Sequence, residues 1–365
     1  MRHTRWPDWV GYAAAGWAAA YATIALIWTV TGDGFPFGRG DPDAMGLLRN
    51  LPAAAGAPLF AGGLLLASVM ALVMAGGARP PRPYRAALVG FGALVAGTLL
   101  VVIPDPAVLV LAGYAPVLLV GAPFGWPDVD YAEVFTWPLL NQLFCIAGGF
   151  LVAGTVLAWQ RRIRGACGAC GRGGRPAAWT APAAAARWGR WAVAVAIAVP
   201  LLYALTRYAW LLRIPLGVDG EFLDDLHTDG GAWAGGWLAS FGVIGAVLTL
   251  GLVRPWGERF PRWMLGMAGR RVPVPLAVAP ASLVSVLVTS AGIGLLSQPK
   301  LYDWLGDGAW SLLPQALWPV WGAALAAATL AYYLRRRGRC AACGLPTDRG
   351  AGPAAPSLDR VTSGY

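Results

Sequence analysis

Residues 137–171 read WPLLNQLFCIAGGFLVAGTVLAWQRRIRGACGACG, and residues 310–344 read WSLLPQALWPVWGAALAAATLAYYLRRRGRCAACG. Each opens on Trp, continues through an apolar run of the roughly 20 residues that cross a hydrocarbon core, turns basic, and closes on Cys-x-x-Cys-Gly. At a shift of 173 positions Trp137, Leu139, Leu140 and Gln142 fall on Trp310, Leu312, Leu313 and Gln315. The same register carries Arg162, Arg164, Gly165, Cys167, Cys170 and Gly171 onto Arg335, Arg337, Gly338, Cys340, Cys343 and Gly344. Alanine and glycine match by chance; tryptophan, glutamine and two cysteines in one ungapped register do not.

Upstream the repeat continues at a slightly different offset. A shift of 182 places Trp9, Tyr21, Ala22 and Trp28 on Trp191, Tyr203, Ala204 and Trp210. The chain therefore reads as two copies of one unit, four apolar helices followed by a basic Cys-x-x-Cys-Gly tail. The copies occupy 1–171 and 189–345, separated by a Gly/Pro/Ala-rich linker at 172–188 and followed by a disordered tail at 346–365. An even number of spans per copy makes the copies parallel, related by an axis near the membrane normal.

Composition agrees. Of 365 residues 57% are hydrophobic and 13% charged, with a mean hydropathy of +0.56, against roughly 25% charged residues in a soluble domain. A secreted enzyme, a cytosolic dinucleotide-binding protein and a disordered scaffold are excluded. With only two histidines, His3 and His227, a bis-histidine haem or a His-built metal site within the membrane is excluded too.

The expected architecture is an all-α membrane protein with eight spans, near 9–31, 54–77, 86–103, 139–159, 191–212, 232–253, 274–297 and 312–333. The first span follows Arg2 and Arg5 but is too long for a signal peptide and has an internal copy, so it reads as a retained helix. With the N-terminus inside, the inner segments hold 23 of the 28 basic side chains and 4 of the 18 acidic ones. Every inner segment between spans is arginine-rich, which sets both termini in the cytoplasm and the protein in a cell membrane. That basic face would lie against anionic lipids of the inner leaflet and offer a surface to a cytoplasmic protein partner. It accounts for a pI of 9.8 without nucleic acid.

Two insertions interrupt the symmetry. Residues 107–122, AVLVLAGYAPVLLVGA, are apolar but short and contain Pro116. A ninth crossing would put Arg161, Arg162 and Arg164 outside, so this segment is expected as an outer re-entrant or interfacial helix. Residues 256–271, WGERFPRWMLGMAGRR, space Phe260, Trp263, Met264 and Met267 as on an amphipathic helix at the inner leaflet, or form an ordinary basic loop with aromatic anchors.

The paired cysteines carry the sharpest chemistry. Cys167, Cys170, Cys340 and Cys343 fall on the cytoplasmic side, where disulfides are rare. Two Cys-x-x-Cys turns together supply the four thiolates of a structural zinc site, and their equivalent places in the two copies would let the pseudo-twofold axis bring them together. The same cysteines are also compatible with a thiol redox pair, or with no shared role. Cys145 reads as core.

Polar groups within spans are few. Asn141, Gln142 and Gln315 lie near outer helix ends, as cavity lining or as interhelical hydrogen-bond formers. Arg207, whose first-copy counterpart is Ala25, is placed to snorkel to the outer headgroups or to bind an anionic group. Ser282, Ser285, Thr289 and Ser290 form one stripe suited to helix packing, as do Gly90, Gly92, Gly97, Gly242 and Gly245. Asp33, Asp41, Asp43, Asp219, Glu221, Asp224, Asp225 and Asp229 make an acidic outer surface. Pro200, Pro280, Pro314 and Pro319 predict kinks in the fifth, seventh and eighth helices.

The Trp–Tyr–Trp first helix ending in Gly-Phe-Pro-Phe-Gly at 34–38, the Arg-Pro-Trp-Gly-Glu-Arg-Phe-Pro stretch at 254–261 and the duplicated plan resemble a family of multi-pass membrane proteins of high-GC Gram-positive bacteria. The resemblance covers most of the chain and implies no particular activity. Three functions follow from the residues. The first is a structural or regulatory membrane protein tied at its inner face by zinc. The second is a transporter or channel for a small or lipophilic solute between the copies, although no buried acid is expected to couple it to protons. The weakest is a thiol enzyme.

Overall fold

The computed structural model describes residues 5–41, 44–125, 130–173, 178–262, 264, 266–306, 310–340 and 342–345. The expected tail at 346–365, residues 174–177 of the linker, Arg2, His3, Asp43 and Trp263 lie outside them. The described residues form helices and turns with no strand, only one isolated backbone bridge.

In chain order the helices are α1 (Trp6–Thr31), α2 (Ala53–Ala75), α3 (Arg82–Gly97), α4 (Pro106–Gly121), α5 (Tyr131–Val134), α6 (Trp137–Ile163), α7 (Pro182–Leu211), α8 (Gly220–Thr228), α9 (Gly231–Gly251), α10 (Val274–Leu296), α11 (Pro299–Gly306), α12 (Leu313–Ala316) and α13 (Trp318–Arg336). A π-helical turn, Thr98–Val102, extends α3. Nine helical segments among the described residues are long and apolar enough to cross a bilayer. This is the architecture of a multi-pass membrane protein.

Local chemistry sets the helix ends. Pro7, Pro83 and Pro138 stand in first turns, where a missing N–H costs nothing. Thr136 caps α6 by accepting from the Leu139 N–H at 3.4 Å. Gly32, at φ 77°, ends α1 and donates its N–H to the Trp28 carbonyl.

Cross-helix hydrogen bonds define two ends of the bundle. At one, Arg162 donates to the carbonyls of Ala75 and Pro7, while Arg336 donates to that of Val272. At the other, Trp137 Nε1 donates to the Gly34 carbonyl and Ser311 Oγ to the Gly217 carbonyl. The helices α1, α2, α3 and α6 run alternately between these ends, and α7, α9, α10 and α13 do the same in the same order. Within the first set α1 packs on α2 and α6, and α3 on α6; in the second α7 packs on α9 and α13, and α10 on α13. Between the sets α4 and the π-helical turn lie against α10.

Several expectations need correction. Residues 107–122 are not interrupted at Pro116. Residues 107–121 belong to α4, which runs into the 3-10 turn Ala122–Phe124 and with it makes the ninth segment of spanning length. The expected amphipathic helix at 256–271 does not form over the described residues. A hairpin replaces it, with backbone pairing between Arg259 and Arg271 and the Val272 N–H donating to the Glu258 carbonyl at 3.0 Å. Pro261 withholds a helix donor, and Gly266 and Gly269 turn the chain at φ 82° and 75°.

The linker is shorter than the composition suggests. α7 begins at Pro182 because Pro at its start and the alanines after it favour helix, so 182–188 belongs to that helix. α7 and α10 continue through Pro200 and Pro280. The last span does break: Pro314 and Pro319 divide it into the 3-10 turn Trp310–Leu312, α12 and α13. Among the glycines assigned to packing, only Gly92 is tightly packed, against Val156 and Met70; Gly90, Gly97 and Gly245 face open space.

Candidate metal centre

α6 leaves the bundle through a reverse turn in which Gly165 takes φ 64° and the Ala166 N–H donates to the Arg161 carbonyl at 2.9 Å. The next residues form a closed loop. The Cys167 N–H donates to the Arg172 carbonyl, and the Gly171 N–H to the Cys167 carbonyl, both at 2.7 Å. The Arg172 N–H points at Cys170 Sγ, 3.5 Å away. Gly171 takes φ 71°, which only glycine adopts without strain.

The second loop repeats the two backbone bonds. The Cys340 N–H donates to the Leu345 carbonyl at 3.2 Å and the Gly344 N–H to the Cys340 carbonyl at 2.8 Å. Gly344 takes φ 70°, and the Ala342 N–H points at Cys340 Sγ at 3.4 Å. The glycine after each Cys-x-x-Cys therefore lets the chain turn back on itself, and in the first loop this sets the Arg172 N–H on sulfur.

The two loops face each other. Cys167 Sγ lies 3.9 Å from Cys340 Sγ, Cys170 Sγ lies 3.7 Å from Cys343 Sγ, and all four sulfurs lie within 4.8 Å of one another. Four sulfurs at about 2.3 Å from a tetrahedral ion stand about 3.8 Å apart. The cluster thus has the dimensions to hold one metal ion, and four soft thiolates select zinc, iron or copper(I) over magnesium or calcium.

Two arginines frame the cluster, and neither was singled out from the sequence. Arg161 Nη1 donates to the carbonyls of Gly168 and Ala169 at 2.9 and 3.0 Å, and its guanidinium lies 5.5 Å from the Trp6 ring. Arg172 reaches across to the other loop, donating to the carbonyls of Arg337, Gly338 and Leu345 at 3.1, 3.0 and 3.3 Å. The only advance sign was the excess of arginine beside each knuckle.

The thiols are not equivalent. The N–H groups of Cys343 and Ala342 lower Cys340 to about 6. Burial pushes Cys167 up, but the N–H groups of Cys170 and Ala169 outweigh it and leave a lowered thiol. Burial raises Cys170 to about 12, helped by its donation to the other three sulfurs. Without metal, negative charge forms first on Cys340 and Cys167 while Cys170 keeps its proton. Cys145 stands apart, wholly buried, with its sulfur 3.8 Å from the Tyr21 hydroxyl.

The other candidate residues do not converge. Asn141 accepts from the Tyr21 hydroxyl at 2.6 Å, and Gln142 Oε1 accepts the Asp105 N–H at 3.0 Å. Gln315 is half-buried on α12. Arg207 is 9% exposed, its guanidinium over the rings of Trp210 and Tyr203 at 4.1 and 4.9 Å, and it lines a separate pocket of about 200 Å³ with Leu226 and Gly235. It is held by aromatic faces, not extended to the surface. Of the serine stripe, Ser290 donates to the carbonyls of Val101 and Pro104 at the contact between the helix sets.

One buried acid was not anticipated. Asp105 is 5% exposed, caps α4 through the Ala107 N–H at 2.9 Å and packs beside Gly46. Its sequence setting, between Pro104 and Pro106, looks like an exposed turn. No family model, curated protein or solved structure matches the chain.

Proposed function

We propose that this chain is a structural or regulatory protein of the bacterial plasma membrane, made of two parallel four-helix repeats whose cytoplasmic ends are tied by one zinc ion on Cys167, Cys170, Cys340 and Cys343. The observation that carries this reading is the sulfur cluster itself: cysteines 173 positions apart lie within 4.8 Å. A structural zinc contributes on the order of 10 kcal/mol when its ligands are deprotonated. It would hold the two cytoplasmic ends in one arrangement while the basic face meets anionic lipid or a protein partner.

The equivalent hydrogen bonding of the two sets supports the duplication. The arginine-rich end is also the cysteine end, which supports placing it in the cytoplasm. The position of α4 supports eight crossings. It starts at the opposite end, where Val108 packs with Leu139. The chain is back at that end by Trp137, so α4 reads as an outer re-entrant helix. Passage of a solute between the repeats has less support, because α4 lies in the seam and Asn141 and Gln142 are engaged in hydrogen bonds.

The test uses intact cells expressing the full chain and a membrane-impermeant maleimide. The four cysteines should stay unlabelled until the cells are opened and metal is chelated. Labelling of Cys170 or Cys343 in intact cells would place the cluster outside and overturn the reading.

A further inference from the structure

At the arginine-rich end of the second helix set, α9 and α10 stand apart around a cavity of about 890 Å³. It is lined by Trp321 of α13, Gly245 of α9 and Leu276 of α10 and, at the arginine-rich end that forms its mouth, by Trp256 and by Phe260 of the hairpin. The corresponding wedge of the first set is filled, with Met70, Met74 and Trp159 packed against Phe91 and Val156.

The lining is almost wholly apolar. Its one hydroxyl, on Thr249, already donates to the Gly245 carbonyl at 2.8 Å. The cavity therefore offers a ligand walls that are apolar apart from the Trp256 indole N–H, which suits a hydrocarbon chain. A methylene moved there from water is stabilised by leaving it. Moved from a bilayer it gains almost nothing, because lipid tails are equally apolar. Selectivity must come from the mouth.

The mouth is cationic. Arg254, just before the hairpin, and Arg259, Arg262, Arg270 and Arg271 on it are all exposed, and none has an acidic partner among the described residues. Arg259 and Arg262 flank Phe260 and Pro261, which line the cavity. The hairpin's acid, Glu258, is engaged by Arg335 at 3.6 Å. Each arginine near a membrane surface favours an anionic headgroup over a zwitterionic one.

We infer that this cavity is a binding site for one anionic phospholipid, its acyl chain between α9 and α10 and its phosphate on the hairpin arginines. The orientation proposed above makes it a lipid of the inner leaflet, but the site itself requires neither that orientation nor zinc.

Native mass spectrometry of the detergent-purified full chain, supplied with equal phosphatidylglycerol and phosphatidylcholine, tests it. The wild type should retain one phosphatidylglycerol, at least tenfold over phosphatidylcholine. Gly245→Phe, placed where a new Cβ meets nothing within 4 Å, should lose the bound lipid. The double variant Arg259→Gln/Arg262→Gln changes only exposed side chains and should bind both lipids equally, which keeps the test decisive should the filled variant not fold. Equal retention of the two lipids by the wild type would overturn the inference. So would a double variant that keeps the tenfold preference, or a folded Gly245→Phe that retains lipid as the wild type does. Loss of zinc binding or a reversed topology would leave these results unchanged, so the two proposals fail separately.

Discussion

Trp159 and Tyr332, 173 positions apart, make the same contact in the two helix sets. Trp159 Nε1 donates to the Ala78 carbonyl at 3.0 Å, and the Tyr332 hydroxyl donates to the Gly257 carbonyl at 2.8 Å. Both rings are almost fully buried, and each fastens the loop after the second helix of its set to the last helix. The side chains differ while the bond is kept. Trp159→Phe and Tyr332→Phe should each lower stability by about 1–3 kcal/mol, the cost of a buried polar group left unpaired. Their effects should add, since the two sites share no partner. Denaturation in mild detergent, followed by tryptophan fluorescence, measures both; strong non-additivity would contradict independence of the two helix sets.

That pair also shows what the sequence could reveal. The register joining the cysteines was legible because Trp, Gln and Cys are rare enough to align by eye, and apolar length alone located the long helices. The hairpin at 258–272 was not, because Phe260, Met264 and Met267 imitate helical spacing while Pro261 and two glycines decide the backbone. The burial of Asp105 was hidden for a different reason. It depends on Gly46 and Gln142, which only the packed helices bring beside it. Arg172 likewise gains its role only when the other loop arrives.

Close packing of α10 on α13 depends on Gly322. A Cβ there would meet Thr289 Oγ1 and lie 2.7 Å from the Ser285 carbonyl oxygen, backbone that cannot step aside. Gly322→Ala should destabilise the protein by about 1–3 kcal/mol. Gly90→Ala, in open space, should be neutral or slightly stabilising, because alanine favours helix. Equal melting temperatures for the two variants would refute this packing.

The metal-free cluster should react unevenly. Cys340, lowered to about 6, lies below the roughly 8.5 of an ordinary thiol, so its thiolate prevails at neutral pH. A depressed acid contributes stability above its unfolded value and loses that contribution as pH falls through its folded one. The metal-free protein should therefore lose this stabilisation between about 8.5 and 6. Iodoacetamide at neutral pH should modify Cys340 first and Cys170, raised to about 12, last. Four equal rates would contradict the geometry.

Sulfurs of opposite loops lie 3.9 and 3.7 Å apart, so oxidation of the metal-free protein should link the two halves. Each pair of thiols would lose two electrons to copper(II)–phenanthroline and two protons to solvent. With a protease site placed at 174–177, the cut chain should migrate as one species without reductant and as two with it. Separation without reductant would mean that disulfides form within each loop instead.

The central claim is that the four cysteines share one ion, and metal content of the purified full chain tests it most directly. Wild-type protein should carry one zinc per chain. Cys170→Ser and Cys343→Ser, one from each loop, should each abolish it, because either change breaks the same site. A metal-free wild type with four freely reactive thiols would contradict the account, as would one zinc surviving in either variant.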